Sequence, residues 1–226
     1  MQVTYIEDTL GVWRVPAFEQ FSWLEHGFGT GVSRSWPEAT RLAMLRQVHS
    51  ARVIVADGQT GYIGEGDALV TSMPGTFVGV RTADCVPVLL ADPHHRAVAA
   101  VHAGWRGTAA EILNCTISEM SVRFGTVPAE LWAAIGPAIG ECCYEVGPDV
   151  ARRFAPWWPE LAGVDRPVRL DLTGTNYRQL VEAGVPSGQI FTGAPCTVCT
   201  PALHSFRRDK EAAGRMIAAI GVRRGS

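Results

Sequence analysis

The chain has 226 residues, of which 47% are hydrophobic and 19% are charged, and its formal net charge is −2 at pH 7. This composition is that of a globular protein and excludes an intrinsically disordered chain. Because so small a net charge offers no basic field to a polyanion, we expect no nucleic-acid partner.

The sequence also bears on the compartment of the protein. No stretch approaches the roughly 18 uninterrupted apolar residues of a membrane span, and the N-terminal segment lacks the basic and apolar regions of a secretory signal. We therefore expect no membrane partner and a cytoplasmic location, where cysteines remain thiols or metal ligands. The absence of repeats and low-complexity linkers predicts a single domain over residues 1–226.

The first predicted element is a helix, with Ser35 as its cap, Pro37 in its first turn and its end near Leu45. An extended stretch over residues 46–56 follows it. The next segments are apolar, of strand length, and bounded by Gly, Pro or Asp, so we predict four strands. These strands cover residues 68–71, 77–82, 86–91 and 97–102.

A long helix is predicted over residues 108–124, because apolar side chains recur there at helical spacing and form one buried face. The remaining predicted elements are helices at 148–154 and 173–183 and strands at 131–135, 189–192 and 215–222. Strands dominate the first half without strict alternation with helices. We therefore predict an α+β fold, a single layered domain with mixed β-sheets packed by helices.

Several common catalytic motifs do not occur in the sequence. It contains no phosphate-binding Gly-x-x-x-x-Gly-Lys loop, no Gly-x-Gly-x-x-Gly turn, no His-Glu-x-x-His helix and no Gly-x-Ser-x-Gly elbow. Nucleoside-triphosphate hydrolysis, dinucleotide redox chemistry and the common serine hydrolases therefore lose their usual support.

Three residues in turn-like contexts are candidates for chemistry, namely His49, Cys85 and His102. Their separation in the chain matches no local zinc motif. A histidine at a strand end is more often a hydrogen-bonded structural residue, and a cysteine between strands is more often an inert core thiol. Spacing by itself therefore leaves both the structural and the metal-binding interpretation open.

The segments around these residues resemble sequence blocks of a known family. Residues 46–49 (Arg-Gln-Val-His), 82–90 (Thr-Ala-Asp-Cys-Val-Pro-Val-Leu-Leu) and 101–107 (Val-His-Ala-Gly-Trp-Arg-Gly) are similar to the hallmark blocks of the YfiH-type family. The similarity continues through residues 134–137, 143–147, 171–176, 196–197 and 205–209 and so covers nearly the whole chain. Members of that family carry the names polyphenol oxidase, laccase-domain protein or purine nucleoside phosphorylase, and the resemblance implies a YfiH-like fold.

The resemblance implies that His49, Cys85 and His102 bind one zinc ion per chain. Two imidazoles and a thiolate suit zinc, and three protein ligands leave one position open for water or substrate. A fourth protein ligand would make the site structural instead, and His204 or the Cys196-x-x-Cys199 pair are the candidates for it. We expect the position to be open, with Cys196 and Cys199 structural or at the rim.

Further site residues follow from their closeness to these ligands in the chain. Asp84 is expected to act with Cys85 in catalysis, as a partner of a ligating imidazole or as a proton carrier. Arginines 46, 81 and 106 (Arg46, Arg81, Arg106) each lie within four residues of a ligand and suit a phosphate. The alternative for each arginine is a structural ion pair with Asp84 or Asp67.

The function implied by the resemblance is zinc-dependent phosphorolysis of adenosine or inosine, with deamination of adenosine as a further activity of the same pocket. The partners would be a purine nucleoside and phosphate, and the chain would be a monomer or a small homo-oligomer. Phe28, Trp105 or Tyr144 would stack on the purine.

Three other functions stay open at this stage. Cys85 with His102 as its base could form a cysteine hydrolase acting on a cell-wall peptide precursor. Phenol oxidation with copper is another alternative, although a multicopper cluster is excluded, because the chain has only six histidines and no His-x-His motif. The third is a zinc-stabilised interaction module. For the adjacent Cys142 and Cys143 we expect packing near the site.

Overall fold

A computed structural model describes residues 4–33 and 36–225. Within them the chain forms two mixed β-sheets, a two-stranded ribbon and several short helices. The strands are β1 (Ile6–Glu7), β2 (Val12–Arg14), β3 (Leu24–Gly29), β4 (Leu42–Arg46), β5 (Val53–Val55), β6 (Gly61–Glu65), β7 (Ala68–Thr71), β8 (Phe77–Thr82), β9 (Val86–Asp92), β10 (Ala97–Ala103), β11 (Trp132–Ile135), β12 (Glu145–Val146), β13 (Val168–Arg169), β14 (Ile190–Phe191) and β15 (Met216–Val222).

The helices are short except for two of them. The α-helices are α1 (Trp105–Ala109), α2 (Ile112–Phe124), α3 (Pro148–Ala151), α4 (Leu172–Glu182) and α5 (Phe206–Asp209). Single 3-10 turns occupy Pro16–Gln20, Ala39–Arg41, Pro128–Glu130, Arg152–Phe154, Pro159–Leu161, Ser187–Gln189 and Lys210–Ala212. No helix in the described ranges is long and apolar enough to cross a membrane.

The six-stranded sheet lies in the middle of the molecule and has the strand order β14-β11-β9-β10-β7-β5. Its central strands are apolar along their whole length because both faces are buried. In β9, Val88 and Leu90 pack against the helical side, whereas Leu89 between them points to the other sheet. This alternation is the period of two expected of a strand.

The second sheet has seven strands in the order β1-β2-β3-β15-β8-β4-β6. The central β15 pairs antiparallel with both β3 and β8, while β4 runs parallel to β8 and β6. Phe28, Val78 and Ile220 from this sheet share a core with Leu89 of the six-stranded sheet. The two sheets are therefore stacked through a common apolar layer.

Helices cover the opposite face of the six-stranded sheet. Ile112, Leu113 and Met120 of α2 and Leu180 of α4 belong to one buried cluster with Val88 of β9. The arrangement is thus helix layer, sheet and sheet, which confirms the predicted α+β class and its mixed sheets.

The predicted helix ending near Leu45 is wrong. The chain forms a 3-10 turn at Ala39–Arg41 and then the strand β4. Ala43 and Leu45 face the core between the sheets, while Leu42 belongs to a separate cluster on the outer face. This period of two, together with pairing to β8, outweighs the helical starting signals. The predicted cap Ser35 lies outside the described residues.

The predicted helix over residues 108–124 is in fact two helices. Helix α1 ends at Ala109, and α2 begins at Ile112. Glu111 between them has a φ of 57°, in the left-handed region, and this interrupts the helical path. Apolar periodicity reports the buried face of α2 but carries no information about this break.

The other predicted elements agree with the structure to within a residue or two, with one exception. Strands at 68–71 and 77–82 are confirmed at both ends, and the strand interpretation of 215–222 is confirmed by β15. Of the extended stretch 46–56, only Val53–Val55 forms a strand of its own, at the edge of the six-stranded sheet, while Arg46 ends β4 and the residues between them form a loop. Strand β6 was not predicted, because its residues are mostly exposed and show no apolar pattern.

Candidate metal centre

Cys85 and His102 approach each other because their strands are antiparallel neighbours. His102, near the end of β10, lies opposite Pro87 at the start of β9, and Cys85 immediately precedes β9. The pairing register therefore carries two residues that are distant in sequence to the same edge of the six-stranded sheet. His102 is only 3% exposed, and Cys85 is half-buried.

His49 reaches the same place on the loop between β4 and β5. The loop is held by the buried carboxylate of Asp67, which accepts the backbone N–H of His49 at 3.0 Å and that of Ser50 at 2.6 Å. The Ser50 hydroxyl donates to the same carboxylate at 2.8 Å. His49 has a φ of 58°, a left-handed conformation that these bonds stabilise locally.

Asp67 also orients His102. Its Oδ1 lies 2.9 Å from Nδ1 of His102. Because Nδ1 bonds the carboxylate, Nε2 is the ring nitrogen available to a metal, which would replace the proton that Nε2 carries in the imidazolium form. One acidic side chain thus fixes two of the three candidate ligands.

Gly104 leaves space for the three side chains. A methyl group at this position would lie 3.0 Å from Sγ of Cys85 and 3.1 Å from Cδ2 of His49. The rings of His49 and His102 are 4.9 Å apart and nearly perpendicular. A side chain at this position would therefore press on Cys85 and His49, which would have to shift by a few tenths of an ångström to admit it.

Electrostatics favours charged forms in this cluster. Burial would raise the pKa of the Cys85 thiol, but hydrogen bonds from His102 and His49 lower it to about 6. Burial would lower the pKa of His102, yet hydrogen bonds to Asp67 and Cys85 raise it to about 9. The pKa of Asp67 is lowered to about 2, since hydrogen bonds from His102 and Ser50 outweigh the effect of its burial.

The donor atoms of His49, Cys85 and His102 all lie within 4.8 Å of one another. Two imidazole nitrogens and a sulfur that favours the thiolate are a donor set suited to a borderline-soft cation such as zinc. In the described part of the chain this group includes no fourth His, Cys, Asp or Glu. His204 lies apart from it, and Cys196 and Cys199 belong to a separate cluster.

The three residues line a cavity of about 1210 Å³. Of the residues expected to bind substrate, Arg46, Arg81 and Tyr144 also line it, as does Trp105. Arg46 forms an ion pair with Glu65, and Arg81 donates to the Tyr62 hydroxyl at 3.1 Å. Both arginines are exposed at the cavity rim.

Two expected substrate contacts lie elsewhere. The guanidinium of Arg106 stacks on the Trp105 ring at 4.5 Å and is not among the cavity-lining residues. Phe28 is 2% exposed and packs in the core between the sheets. Strand β3 thus turns Phe28 into the core, and Arg106 is an exposed residue stacked on the cavity-lining Trp105.

Asp84 lines the cavity but has partners other than the two imidazoles. Its Oδ1 accepts the Thr197 hydroxyl at 2.6 Å, and its Oδ2 accepts the backbone N–H of Arg207 at 2.6 Å. The imidazole-orienting role that the sequence suggested for it is filled by Asp67. Asp84 instead ties the turn before β9 to the start of α5.

Sequence reasoning missed the C-terminal side of the cavity. Arg207, Lys210 and Arg215 line it together with the 41%-exposed Phe206. Arg207 lies over the Tyr144 ring at 5.4 Å. One feature of the sequence could have indicated a cationic site here: Lys210, the only lysine of the chain, follows closely after Arg207 and Arg208. Asp67 was considered only as an ion-pair partner, although it directly precedes a buried strand.

The remaining cysteine candidates form a second group. The Sγ atoms of Cys142, Cys143, Cys196 and Cys199 all lie within 4.8 Å of one another. Cys142 and Cys143 were expected to pack near the site, and Cys196 and Cys199 to be structural. The sequence did not indicate that the two pairs meet.

One family model, several curated relatives and several solved structures resemble this chain over most of its length. The family model described as "Multi-copper polyphenol oxidoreductase laccase" matches residues 32–223. A protein of Deinococcus radiodurans named purine nucleoside phosphorylase is 41% identical over 191 residues, covering 82% of this chain and 72% of the relative. A protein named adenosine deaminase RL5, from an unknown prokaryotic organism, is 38% identical over 173 residues, which cover 70% of this chain and 66% of the relative. The crystal structure of the hypothetical protein YfiH of Bacillus licheniformis matches with a TM-score of 0.87 at 28% identity, over 98% of this chain and 100% of that one.

Proposed function

The chain belongs to the multi-copper polyphenol oxidoreductase laccase family, the YfiH-type family that its sequence blocks resemble, and we propose that it is a zinc-dependent purine nucleoside phosphorylase. The names of its relatives support an enzyme of this general kind, and one of them adds adenosine deaminase as a related activity. The residues that line the cavity support zinc and phosphate as the metal and the co-substrate.

The observation that carries the proposal is the pairing of two features in one cavity. Three donors suited to a metal lie beside a set of cationic side chains, which are Arg46, Arg81, Arg207, Lys210 and Arg215. A dianionic phosphate is the small co-substrate that such a lining favours, because guanidinium groups bind its oxygens in pairs.

Zinc would be held by His49, Cys85 and His102, and when bound it supplies a Lewis acid next to the reacting atoms. The protein contributes orientation. Asp67 fixes the His102 ring and the His49 loop, and Asp84 fixes the backbone of Arg207. Arg207 and Lys210 would place the phosphate, so that the reactants meet at a defined angle.

The purine would lie against the aromatic part of the lining. Tyr144 and Trp105 are half-buried and face the same cavity as the candidate ligands. In phosphorolysis a phosphate oxygen attacks the ribose C1′, the bond from C1′ to the purine nitrogen breaks, and the base leaves with a proton. The products are a free purine and ribose 1-phosphate, and we propose adenosine deamination at C6 as a secondary activity.

The test is incubation of the zinc-loaded protein with inosine and phosphate. We expect hypoxanthine and ribose 1-phosphate to form, and Cys85→Ala to abolish both. Lys210→Gln should raise the KM for phosphate by roughly 10- to 100-fold, since a hydrogen bond to a charged group contributes about 1.5–3 kcal/mol. Arg123→Gln, an exposed residue of α2 outside the cavity, is the matched control and should not alter the KM. Absence of product from inosine and from adenosine, with zinc bound, would refute the proposal.

A Cys–His hydrolase is the second candidate. The lowered pKa of Cys85 and the raised pKa of His102 favour a thiolate–imidazolium pair, which is the resting state of such enzymes. The two functions differ in metal content, because the hydrolase needs none. Roughly one zinc per chain at this centre, with loss of activity on chelation, would support the phosphorylase.

A further inference from the structure

The four-cysteine cluster (Cys142, Cys143, Cys196 and Cys199) lies outside the candidate metal centre. Its Sγ atoms are 3.7 Å apart between Cys142 and Cys143, 3.8 Å between Cys142 and Cys199, and 3.4 Å between Cys143 and Cys199. All other pairs are also within 4.8 Å. Four sulfurs from two distant segments thus share one small volume.

These separations fit one kind of ligand. A disulfide would bring two sulfurs to about 2.05 Å. A tetrahedral zinc with sulfurs about 2.3 Å away separates each pair of sulfurs by about 3.8 Å. Three of the six separations are 3.4–3.8 Å, close to the second value and far from the first, and all six cysteines of the chain are free thiols.

Backbone hydrogen bonds hold the two cysteine segments together and stabilise one of the sulfurs. The segment with Cys142 and Cys143 and the segment with Cys196 and Cys199 are joined by a parallel bridge between Ala138 and Cys196. The Gly140 N–H donates to Sγ of Cys196 at 3.2 Å. A backbone N–H aimed at a sulfur stabilises a thiolate and is a usual surrounding of metal-bound cysteine.

We propose that Cys142, Cys143, Cys196 and Cys199 form a structural tetrathiolate zinc site, separate from the centre of His49, Cys85 and His102. Binding converts four thiols into thiolates and releases four protons to solvent, with no change of oxidation state. With all four positions taken by sulfur, this site offers no place for substrate, and its role is to fasten two loops.

The loop with Cys142 and Cys143 lines the cavity, and the loop with Cys196 and Cys199 supports it from behind. Tyr144 directly follows Cys143, and Thr197 directly follows Cys196 and donates its hydroxyl to Asp84. Thr197 N also donates to Ala138 O at 3.0 Å. Zinc at the four-cysteine cluster would therefore hold Tyr144 and Asp84 in place relative to the candidate metal centre.

The experiment measures zinc per chain by elemental analysis after zinc loading and gel filtration of the full chain. We expect Cys199→Ser to bind one zinc fewer than the unaltered protein. Cys115→Ser, which changes an exposed thiol of α2 outside both groups, should bind as much as the unaltered protein. This difference does not depend on whether the His49, Cys85 and His102 centre is a phosphorylase site.

A second measurement covers the case in which Cys199→Ser does not fold. Thiols of the unaltered, folded protein are titrated before and after zinc addition, and we expect zinc to protect the four thiols of the cluster, identified by alkylation and mass spectrometry. Equal zinc content in Cys199→Ser and the unaltered protein would overturn the proposal. So would unprotected thiols at Cys142 and Cys199 under saturating zinc, or a disulfide between Cys143 and Cys199 in freshly purified protein.

Discussion

Asp67 is the residue that sets the geometry of the candidate metal centre. It is fully buried, its carboxylate lies 2.9 Å from Nδ1 of His102, and it accepts the backbone N–H groups of His49 and Ser50. A carboxylate behind a ligating histidine fixes the tautomer and the ring orientation. Its substitution therefore tests the centre without removing a ligand.

We expect Asp67→Asn to weaken zinc binding by about 10–100-fold. The neutral amide lacks the carboxylate charge, and its single oxygen can accept either from His102 and His49 or from Ser50, whereas its nitrogen can only donate. Affinity is measured by competition with a chromophoric chelator. Asp92→Asn is the matched control, since Asp92 is equally buried and bonds Nδ1 of His95 at 2.9 Å, at the other end of the β9–β10 hairpin. Equal changes in the two variants would show that the effect is one of general stability.

Among single residues, the sequence predicted the three donor side chains but not their supports. His49, Cys85 and His102 stand in recognisable blocks, whereas Asp67 stands in none and gains its role by lying opposite the end of β10. The same limit applies to Arg106, which is four residues from His102 in the chain and yet stacks on Trp105 and is not among the cavity-lining residues. Closeness to a ligand in the sequence therefore predicts that a residue lies near the site, but not that its side chain lines the cavity.

Among the secondary-structure elements, helix α1 begins in close contact with the candidate metal centre. Gly104 is its N-cap residue, with φ −69° and ψ 168°, a conformation that any residue adopts. Its requirement for glycine is therefore steric, and it comes from Cys85 and His49.

We expect Gly104→Ala to reduce zinc affinity at the candidate centre by about tenfold or more, because overpacking costs about 1–3 kcal/mol. The control is Gly147→Ala, at the N-cap of α3 with φ −72° and ψ 164°, where a methyl group meets nothing within 4 Å. Zinc content and the circular-dichroism melting curve are measured for both. Unchanged zinc affinity in Gly104→Ala would contradict the close packing described for the centre.

The elements that sequence predicted well are those whose local pattern reports their burial. Strands β7 and β8 are short apolar runs between turn residues, and α2 repeats its apolar residues on one face. Strand β4 was mistaken for a helix, because its proline and polar flank resemble a helix start and only its partners β8 and β6 make it a strand. Tertiary pairing overrides local propensity in such segments.

At the scale of the whole molecule, His26 links folding to pH. It lies on β3, is 4% exposed, and its Nε2 accepts the Val15 N–H at 2.9 Å. Burial, with the charges of Arg14 and Arg223, lowers its pKa from 6.5 to about 3. The folded protein thus holds a neutral histidine where the unfolded chain would take up a proton.

The stability contributed by neutral His26 is complete above pH 6.5 and is lost as the pH falls toward 3. The unaltered protein should lose about 1.4 kcal/mol of unfolding free energy for each pH unit well below 6.5 from this residue. In His26→Gln, whose amide oxygen can accept the Val15 N–H, that part of the slope should vanish. Urea unfolding at about pH 7.5 and about pH 5.5 measures it, and parallel slopes in the two proteins would show that His26 is not the cause.

The class of the fold, most of the inner strands and the three residues that meet at the candidate metal centre could all be predicted from the sequence. These are properties of local pattern, because burial imposes a period on strands and helices and recognisable blocks surround the donors. Three features of the site could not be predicted and depend on strand pairing and packing. Asp67 orients two of the donors, Arg207 and Lys210 line the cavity while Arg106 does not, and two cysteine pairs meet. The reason is physical: which side chains converge depends on strand register and loop placement, and those are set by long-range packing rather than by neighbours in the chain.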